Sequence, residues 1–414
     1  MKWLLVLVGF LAAVSGGVIP PQCFSEDNLS QGFNADLSGI VDFSFDLYRE
    51  ASTLTNAENF FFSPYSIWTA LVLAYFGSAG NTKAELQDVL RITDKPATLA
   101  LWRTLEMAGN TSEYTFNIAN RIYFDQSLRV RPCVSTILHN EVETVNFKDV
   151  SSAAQINDFV SNTTKSLIPT IVSPIDMLDA LMVLVNAAYF KGTWQYQFKP
   201  SNTRPSKFFI TPGNSVDVPM MSLRTELRHG HSKDLSANVL ELPYAGNDLS
   251  MLLLLPDVEG EEGFSAMVSA LTASSLSRAI TKRSMENSEV FLTLPKFKVE
   301  LELKKKLIEA LQNLGINDLF NGTTSNLTDF VNKPGLAITK SIHKAFMEVS
   351  EEGTEAAAAT AFIVYTRSSF GSTLKTFSCN RPFVFLIHDN TTKNVIFMGA
   401  YKSPEGQDTL PYIR

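Results

Sequence analysis

The chain contains 414 residues, of which 45% are hydrophobic and 19% are charged, a balance typical of a globular protein with a large core. Its formal net charge is -7, which argues against a general affinity for nucleic acid or heparin-like polyanions. The nearest approach to a basic cluster, Lys304–Lys306, lies in a helical pattern, and a solvated helix face explains it without a partner.

The N-terminus has the pattern of a secretory signal peptide, which we place at residues 1–17. Lys2 supplies the positive charge, and the apolar stretch Trp3–Val14 is followed by small residues and a cleavage site before Gly16 or after Gly17. That stretch is too short to cross a bilayer, which takes about 18 residues or more, and no other apolar stretch approaches this length. The sequence therefore predicts a soluble, secreted, extracellular protein that is not held in a membrane.

Sequons and cysteines bear on the same question. Six Asn-x-Ser/Thr sequons agree with export and are candidates for glycosylation: Asn28, Asn110, Asn162, Asn321, Asn326 and Asn390.

The three cysteines are an odd number and do not form a disulfide framework. Cys23–Cys133 is one possible bridge, and it would leave Cys379 as a buried thiol.

Helical patterns are concentrated in the first half of the chain. Asp36–Leu54 has helical apolar spacing, and Ser63-Pro64 provides a cap and first residue for a helix through Tyr65–Phe76. Thr82 and Glu85 match the spacing of a capping box, which predicts a third helix start.

Strand patterns dominate the second half, where Leu301–Leu314 nevertheless has the spacing of an amphipathic helix. The predicted strands are Tyr114–Tyr123, Leu181–Tyr189, Leu249–Leu255, Glu289–Val299, Leu336–Val349, Pro382–His388 and Val395–Tyr401. Because Leu181–Tyr189 is almost continuously apolar, we expect it to be buried on both faces of a sheet. Helices followed by strands indicate an α+β fold.

Motifs for enzyme chemistry are largely missing, including the dinucleotide and phosphate loops, HExxH and the nucleophile elbow. Ser341–Lys344 matches S-x-x-K, but it lies in a strand pattern without the partner motifs, so we interpret it as a coincidence. His229-Gly230-His231 has no accompanying ligand cluster, and a surface turn is the favoured interpretation. The sequence predicts no catalytic residue, metal or cofactor.

The most informative stretch is Glu351–Ser368, EEGTEAAAATAFIVYTRS. Glu355–Ala361 has helical propensity, and a short surface helix is one interpretation. Gly353 before it and the aromatic and β-branched Phe362–Thr366 after it favour extended chain instead. As a strand, the stretch would present one face without a charge to desolvate, made of Thr354, Ala356, Ala358 and Thr360.

Seven motifs, in this order along the chain, resemble the serpin family over Phe33–Pro404. They are Phe61–Ile67 (FFSPYSI), Gly80–Leu86 (GNTKAEL), Leu184–Trp194 (LVNAAYFKGTW), His343–Val349 (HKAFMEV), Glu351–Ala359 (EEGTEAAAA), Arg381–Phe383 and Phe397–Gly399. The resemblance implies a serpin fold with three β-sheets, eight or nine helices and an exposed reactive-centre loop. It implies a serine protease inhibitor rather than an enzyme, which acts once by trapping the acyl-enzyme as the cleaved loop enters the main sheet.

The resemblance also sets the domain boundaries and leads us to expect a monomer. After the signal peptide come an N-terminal extension at 18–32, one serpin domain at 33–404 with its reactive loop at about 351–372, and a tail at 405–414. The sequence as a whole resembles invertebrate, and especially arthropod, serpins more than vertebrate ones. This resemblance suggests regulation of a proteolytic cascade in innate immunity. Because Pro96–Gly109 is short and poor in basic residues, activation by heparin is not expected.

In this family the scissile bond lies fourteen residues beyond the hinge glycine, which here is Arg367–Ser368. An arginine at this point suits a trypsin-like serine protease, because its guanidinium pairs with a carboxylate in the specificity pocket. Val364, Tyr365 and Thr366 would contact the neighbouring subsites. The alternative is a non-inhibitory serpin acting as a carrier, storage protein or chaperone, but Thr354 permits insertion where some such relatives carry a charge or proline.

Three further residue sets carry over from the family. The hinge is Glu351, Glu352, Gly353, Thr354, Glu355, Ala356, Ala357, Ala358, Ala359 and Thr360. The shutter, a polar cluster beneath the centre of the main sheet, is Ser63, Ser66, Asn186 and His343, which also fits a satisfied core network. The breach, where the hinge first enters, is Trp194, Lys296 and Glu351, with an ion pair expected between the last two.

Overall fold

The structure, a computed structural model, describes residues 23, 37–54, 59–106, 114–178, 180–354 and 374–404. These residues form ten α-helices: α1 (Ser38–Leu54), α2 (Pro64–Gly77), α3 (Gly80–Leu90), α4 (Lys95–Glu106), α5 (Pro132–Ile137), α6 (Ser151–Thr163), α7 (Pro174–Met177), α8 (Glu261–Ala270), α9 (Ala273–Ala279) and α10 (Lys305–Asn313). In the described part of the chain, no helix is both long and apolar enough to cross a bilayer.

The same residues form fifteen strands. They are β1 (Phe60–Phe62), β2 (Tyr114–Asp125), β3 (Val142–Val145), β4 (Met182–Thr193), β5 (Arg204–Thr211), β6 (Asn214–Ser232), β7 (Ala237–Pro243), β8 (Leu249–Pro256), β9 (Met285–Pro295), β10 (Phe297–Leu303), β11 (Lys340–Val349), β12 (Gly353–Thr354), β13 (Lys375–Ser378), β14 (Phe383–Asp389) and β15 (Val395–Tyr401). The α+β fold predicted from the sequence is confirmed.

The strands form two hydrogen-bonded sheets in the described residues. The smaller sheet has the order β10-β11-β12-β4-β2-β3, and the larger has the order β1-β15-β14-β8-β7-β6-β9-β13, with β5 paired to β6. The larger sheet is continuous because β6, with 19 residues, pairs with β5 near its start and with β7 near its end. The buried side of β6 changes at Met220 and Met221, which are both buried. The expectation of three sheets is therefore corrected to two hydrogen-bonded sheets in the described residues. The larger sheet has two parts, which bury opposite faces of β6 on either side of Met220 and Met221.

Helix α2 lies in the core between the two sheets, and each of its residues is buried. As predicted, Ser63 caps it, accepting a hydrogen bond at Oγ from the Ser66 amide at 3.1 Å, and Pro64 occupies the first turn. A helix this apolar on all sides is stable only when surrounded by other elements. Strand β4 is buried on both faces, as expected, since its alternate side chains contact α2 on one side and α6 on the other.

The predicted capping box at Thr82 and Glu85 is wrong. Helix α3 begins at Gly80, with Ala79 at the cap position. The Thr82 hydroxyl accepts a hydrogen bond from the Asn326 amide at 3.0 Å, and Glu85 Oε2 accepts one from the Asp318 amide at 2.8 Å. Both side chains bind distant backbone amides, so they tie α3 to the segment that leads to β11.

Three predicted boundaries are also wrong, because pairing with distant strands divides segments that the sequence pattern joins. Glu289–Val299 is not one strand: β9 and β10 meet at Lys296 and belong to different sheets. Leu301–Leu303 continues β10, so the helix predicted for Leu301–Leu314 begins only at Lys305. The strand predicted for Leu336–Val349 begins only at Lys340. Short apolar runs fit both helical and strand spacing, and only the pairing partner decides between them.

The pair His229 and His231 lies within β6 and not in a turn, so that interpretation is corrected. His231 Nε2 lies 2.7 Å from Asp257 Oδ2, and the described residues contain no group of three or more side chains that could hold a metal ion.

Cys23 and Cys133 form a disulfide, with their Cα atoms 5.7 Å apart, which is the bridge considered from the sequence. Cys379 is a free, buried thiol, and burial raises its pKa.

Helix α4 holds its two basic residues in ion pairs. Lys95 Nζ lies 2.6 Å from Asp329 Oδ2, with both side chains almost fully buried, and Arg103 lies 2.9 Å from Glu141. Asp329 also pairs with Arg131, two residues before the disulfide. A buried pair of this kind is costly to break from one side, about 3–5 kcal/mol, so α4 is firmly anchored.

The sequons differ in accessibility. Asn162 and Asn321 are exposed, whereas Asn326 and Asn390 are half-buried. The Asn390 amide donates both of its hydrogens, to Asn247 O and Ser250 Oγ, each at 2.9 Å. A glycan there would replace one of these bonds. Asn28 and Asn110 lie outside the described residues.

Candidate functional site

The centre of the smaller sheet is the pair β11 and β4, which run parallel from Lys340–Phe346 against Val183–Tyr189. Beyond this paired stretch the two strands separate, and β12 lies between them. Gly353 and Thr354 pair with Thr193 and Gly192 of β4, and Thr354 also pairs with Val349 of β11. The first residues of the hinge therefore already occupy a strand position in the sheet.

Thr354 is fully buried on the face of the sheet that contacts α2. Its hydroxyl lies 2.6 Å from the Tyr244 hydroxyl, and the Tyr244 ring stacks on Trp194 with centroids 4.5 Å apart. Burial raises the pKa of Tyr244, so its hydroxyl stays protonated and uncharged. The site accepts a small hydroxyl side chain and offers no countercharge for a charged one.

Gly353 is required by the close approach of β4. A Cβ atom at this position would lie 2.0 Å from the Gly192 carbonyl oxygen, far inside van der Waals contact. Only glycine brings the two backbones this close together.

The breach residues hold the tight turn between β11 and β12. Trp194 donates from its ring nitrogen to Ser350 O and from its backbone to Glu352 O, both at 2.9 Å. Lys296 Nζ lies 2.9 Å from Glu351 Oε2, and Thr203 donates to Oε1 of the same carboxylate at 2.8 Å. The expected ion pair is therefore present, with Glu351 11% exposed and Lys296 30% exposed.

The charge state of Glu351 follows from these contacts. Burial alone would raise the pKa of Glu351, but hydrogen bonds from Lys296 and Thr203 outweigh it and hold the pKa below its ordinary value. The carboxylate is thus ionised at neutral pH and retains both partners. Glu352, the next residue of the turn, has a buried carboxylate oxygen that accepts no hydrogen bond from the described residues.

The shutter residues meet at one level of the sheet. Asn186 of β4 is in register with His343 of β11 on one side and with Asn120 of β2 on the other. These three polar side chains cross three adjacent strands and lie over the start of α2, where Ser63 and Ser66 are fully buried. A row of buried polar groups is tolerated in a core only when each one is hydrogen-bonded.

The hydrogen bonds of the shutter fix the histidine tautomer. The Ser63 amide donates to His343 Nε2 at 3.2 Å, so Nε2 carries no proton and Nδ1–H donates to Asn186 Oδ1. Asn186 Oδ1 also accepts from Ser66 Oγ at 3.2 Å, and its amide nitrogen donates to Ser66 O and to Asn120 Oδ1. Ser63 Oγ donates to Ile396 O at 2.7 Å, which links the network to β15.

Asn120 and Thr69 belong to this network but were missed in the sequence. The Asn120 amide donates to Thr69 Oγ1 at 2.7 Å, and Thr69 Oγ1 donates to Ser66 O at 2.8 Å. The sequence pattern could have identified Asn120, because every second residue from Tyr114 to Phe124 is apolar except Asn120. A single polar residue on the buried face of a strand indicates a buried partner.

Acid is expected to weaken the native protein through its buried histidines. Burial lowers the pKa of His343 to about 3, and burial with nearby Lys393 lowers that of His388 to about 4. An unfolded chain protonates each imidazole below about pH 6.5. Native stability is therefore lost as the pH falls from about 6.5 towards these native pKa values, by up to ~1.4 kcal/mol per pH unit for each histidine.

The measurement is the urea midpoint of the native protein at about pH 7 and about pH 5.5, above the range in which the carboxylates titrate. His343→Gln should show about half the pH dependence of the wild type, since one of the two histidines is removed. His139→Gln is the matched control, because His139 is exposed. A wild-type midpoint that is the same at both pH values would contradict the expectation.

Several predicted site residues lie outside the described residues. These are the reactive bond Arg367 and Ser368, the subsite residues Val364, Tyr365 and Thr366, and the hinge residues Glu355–Thr360. The structure brings together the shutter set, the breach set and the hinge residues Glu351–Thr354.

Comparison with known proteins gives consistent matches over most of the chain. A family model described as Serpin (serine protease inhibitor) matches residues 38–404. The chain is 37% identical to Ipis-1 of Ixodes persulcatus over 375 residues, covering 88% of this chain and 97% of that protein. It is 34% identical to leukocyte elastase inhibitor A of Rattus norvegicus over 376 residues, covering 87% and 97%. The similarity to an Ixodes protein agrees with the resemblance to arthropod members that the sequence suggested.

Solved structures match to a similar extent. Serpin48 of the insect Tenebrio molitor, described as a highly specific serpin, superposes with a TM-score of 0.77 at 29% identity, covering 88% of this chain and 97% of that one. Human thyroxine-binding globulin, described in complex with thyroxine, superposes with a TM-score of 0.77 at 26% identity, covering 89% of this chain and 98% of that one.

Proposed function

Because this chain belongs to the serpin family of serine protease inhibitors, we propose that it is a secreted inhibitor of trypsin-like serine proteases that traps the acyl-enzyme by inserting its cleaved loop between β11 and β4. The observation that carries the proposal is the position of β12, whose two residues already lie between these strands. A loop that enters the sheet needs a starting point, and here the first inserting position is a buried threonine.

The pairing of β12 predicts the register of the rest of the loop. Thr354 is opposite Gly192 on one side and Val349 on the other, so each further loop residue advances one position along both strands. Continued in this register, Ala358 would lie between Ala188 and Ala345. Thr360 would lie between Asn186 and His343 of the shutter, where a hydroxyl can replace the hydrogen bond that insertion breaks.

Backbone pairing supplies a driving force for insertion. The loop would separate the seven paired positions of β11 and β4 and form an antiparallel ladder with each strand. One ladder is exchanged for two, and each net hydrogen bond contributes about 1 kcal/mol. The native form is therefore a kinetically trapped state whose persistence is a rate. A fourteen-residue strand extends about 46 Å at ~3.3 Å per residue, enough to carry an attached protease away from its docking position.

The choice of trypsin-like proteases as the target class depends on Arg367 and is part of the proposal. Among the relatives, several are named leukocyte elastase inhibitors, and an elastase would cleave instead after a small apolar residue such as Val364. The two target classes predict cleavage at bonds three residues apart, after Val364 or after Arg367, so fragment masses distinguish them.

A second candidate function is transport of a small hydrophobic molecule without inhibition. It is favoured by the likeness to thyroxine-binding globulin, which is described in complex with thyroxine. Against it stands the hinge, in which the first inserting residue is an uncharged threonine already seated in the sheet.

The test is incubation of the purified protein with trypsin, followed by denaturing electrophoresis and intact-mass measurement. The proposal predicts an SDS-stable complex together with a released peptide that begins at Ser368. Arg367→Ala should lose the complex with trypsin, while Lys375→Ala, an exposed base beyond the loop, should retain it. Cleavage at Arg367 without any complex would exclude inhibition by trapping, and a complex formed only with elastase would reassign the target.

A further inference from the structure

A surface loop directly after the 3-10 turn Asp318–Phe320 carries one of the sequons, Asn321-Gly322-Thr323. The residues from Asn321 to Thr324 are all exposed. Asn321 is also the only asparagine in the sequence that a glycine follows. Two covalent changes therefore compete for one side chain, because a sequon asparagine receives a glycan on Nδ2, whereas an Asn-Gly pair loses Nδ2 as ammonia.

The two nitrogen atoms that take part in these changes are not held by the surrounding protein. Among the described residues, neither Asn321 Nδ2 nor the Gly322 backbone amide donates a hydrogen bond. Asn390 is different, since its Nδ2 donates to Asn247 O and Ser250 Oγ. An exposed amide without internal bonds can be reached both by an enzyme from solution and by the backbone nitrogen that follows it.

The oxygen of the Asn321 side chain is polarised by the same loop. Oδ1 accepts a hydrogen bond from the Thr323 backbone amide at 2.9 Å. When the Gly322 nitrogen attacks Cγ, negative charge develops on Oδ1, and a donor already directed at that oxygen stabilises the charge. The loop therefore favours attack at this amide carbon.

The fold does not need a glycine at position 322. Its φ lies outside the left-handed region, and an added Cβ would meet no atom closer than Gly335 O, at 3.8 Å. The effect of the glycine is chemical, because a residue without a side chain leaves its nitrogen unshielded and its backbone free to rotate. An alanine at this position should preserve the loop and shield the nitrogen.

The native turn slows the attack without preventing it. Asn321 has an extended backbone, with φ −106° and ψ 111°, so its peptide bond must rotate before the Gly322 nitrogen reaches Cγ. The rotation opposes two hydrogen bonds, in which Asn321 O accepts from the Thr324 amide at 3.2 Å and the Ser325 amide at 2.8 Å. Turns at the surface open locally at a small fraction of the cost of global unfolding.

We propose that Asn321 is a modification site with two exclusive outcomes: a glycan in the secreted chain, and conversion to aspartate and isoaspartate wherever the glycan is missing. In the conversion, the Gly322 nitrogen bonds to Cγ and gives up its proton while Nδ2 leaves as ammonia. Water then opens the resulting succinimide at either carbonyl. The conversion is independent of the proposed inhibitory function, and only the glycan rests on the proposed secretion.

The isoaspartate product should weaken the attachment of this loop to α3. It adds one carbon to the main chain and turns the carbonyl that the Ser325 amide binds into a free carboxylate. The next residue, Asn326, donates from its amide to Thr82 Oγ1 at 3.0 Å. We expect a lower urea midpoint for the isoaspartate form than for Asn321→Asp, which keeps the main chain intact. Equal midpoints would contradict this loosening.

Thr323→Ala supplies full-length protein without a glycan at Asn321, because it removes the sequon and keeps the amide that binds Oδ1. After incubation at mildly alkaline pH, peptide masses should show aspartate and isoaspartate at position 321. Asn162 is the internal control, since it lies within α6 before a β-branched threonine and should stay unchanged. An intact Asn321, under conditions that convert a synthetic peptide of the same loop, would overturn the conversion.

The glycan is tested on wild-type protein secreted from eukaryotic cells. Chains with a glycan at Asn321 should appear, and those chains should keep the residue unconverted through the same incubation. A secreted chain that never carries a glycan at Asn321, or glycosylated chains that convert as fast as Thr323→Ala, would overturn the exclusive relationship and leave the conversion in place.

Two variants test the chemistry. In the Thr323→Ala background, Gly322→Ala should slow the conversion at least about tenfold, because its side chain shields the nitrogen. Thr323→Pro has no N–H to donate to Oδ1, so it should convert several-fold more slowly than Thr323→Ala. Both should keep the urea midpoint of Thr323→Ala. Conversion of Gly322→Ala at an unchanged rate would exclude the Gly322 nitrogen as the attacking group and overturn the proposal.

Discussion

Thr354→Arg is expected to convert the protein from an inhibitor of trypsin into a substrate. The Thr354 side chain is fully buried and faces the Tyr244 hydroxyl and the Trp194 ring, so a guanidinium would be buried there without a countercharge. The cost of several kcal/mol opposes the first step of insertion. Since ~1.4 kcal/mol is a factor of ten in rate, we expect trapping to slow by at least about 100-fold.

The measurement is the number of inhibitor molecules cleaved per trypsin molecule trapped, read from denaturing gels. Thr354→Ser is the matched control, because it keeps the hydroxyl that contacts Tyr244, and it should inhibit almost as the wild type does. Thr354→Val keeps the shape and loses only the hydrogen bond, so its effect should be smaller than that of arginine. If Thr354→Arg still trapped trypsin at the wild-type ratio, insertion from β12 would be the wrong mechanism.

Cleavage of the loop is expected to raise the thermal midpoint by on the order of 10 °C or more. The seven paired positions of β11 and β4 are replaced by two longer ladders, and about 1 kcal/mol per additional hydrogen bond accumulates. For a domain of this size each kcal/mol raises the midpoint by roughly 2 °C. The wild type should be cut in the loop by a metalloprotease, which forms no acyl-enzyme and cannot be trapped.

Calorimetry before and after cleavage measures the shift, with the cut position established by mass. Cleaved Thr354→Arg is the control, since its loop should remain outside the sheet and its midpoint should stay near that of the uncut variant. No rise in the cleaved wild type would favour the non-inhibitory carrier over the inhibitor.

The parts of the fold that depend on local chemistry could be predicted from the sequence. Ser63 and Pro64 mark the start of α2 through capping and a fixed backbone angle, both of which act within one turn. The apolar run of β4 indicates burial on both faces. The family motifs then identify the sheet and the residues that meet at the shutter and the breach.

The remaining features depend on partners distant in the chain. Thr82 and Glu85 have the spacing of a capping box, yet their oxygens bind amides more than two hundred residues away. The segment Glu289–Val299 has the pattern of one strand in the sequence, and only the pairing of β10 with β11 divides it between two sheets. Asn120 joins the shutter because strand register places it beside Asn186.

The bridge between Cys23 and Cys133 has a consequence for how the protein must be made. Disulfides form and persist in oxidising compartments, whereas the glutathione and thioredoxin of the cytosol keep thiols reduced. A chain produced in a reducing cytosol would therefore carry three thiols in place of one, with the segment around Cys23 no longer joined covalently to α5. Material for any of these experiments should come from an oxidising route of synthesis, and a thiol count of one identifies the correctly joined chain.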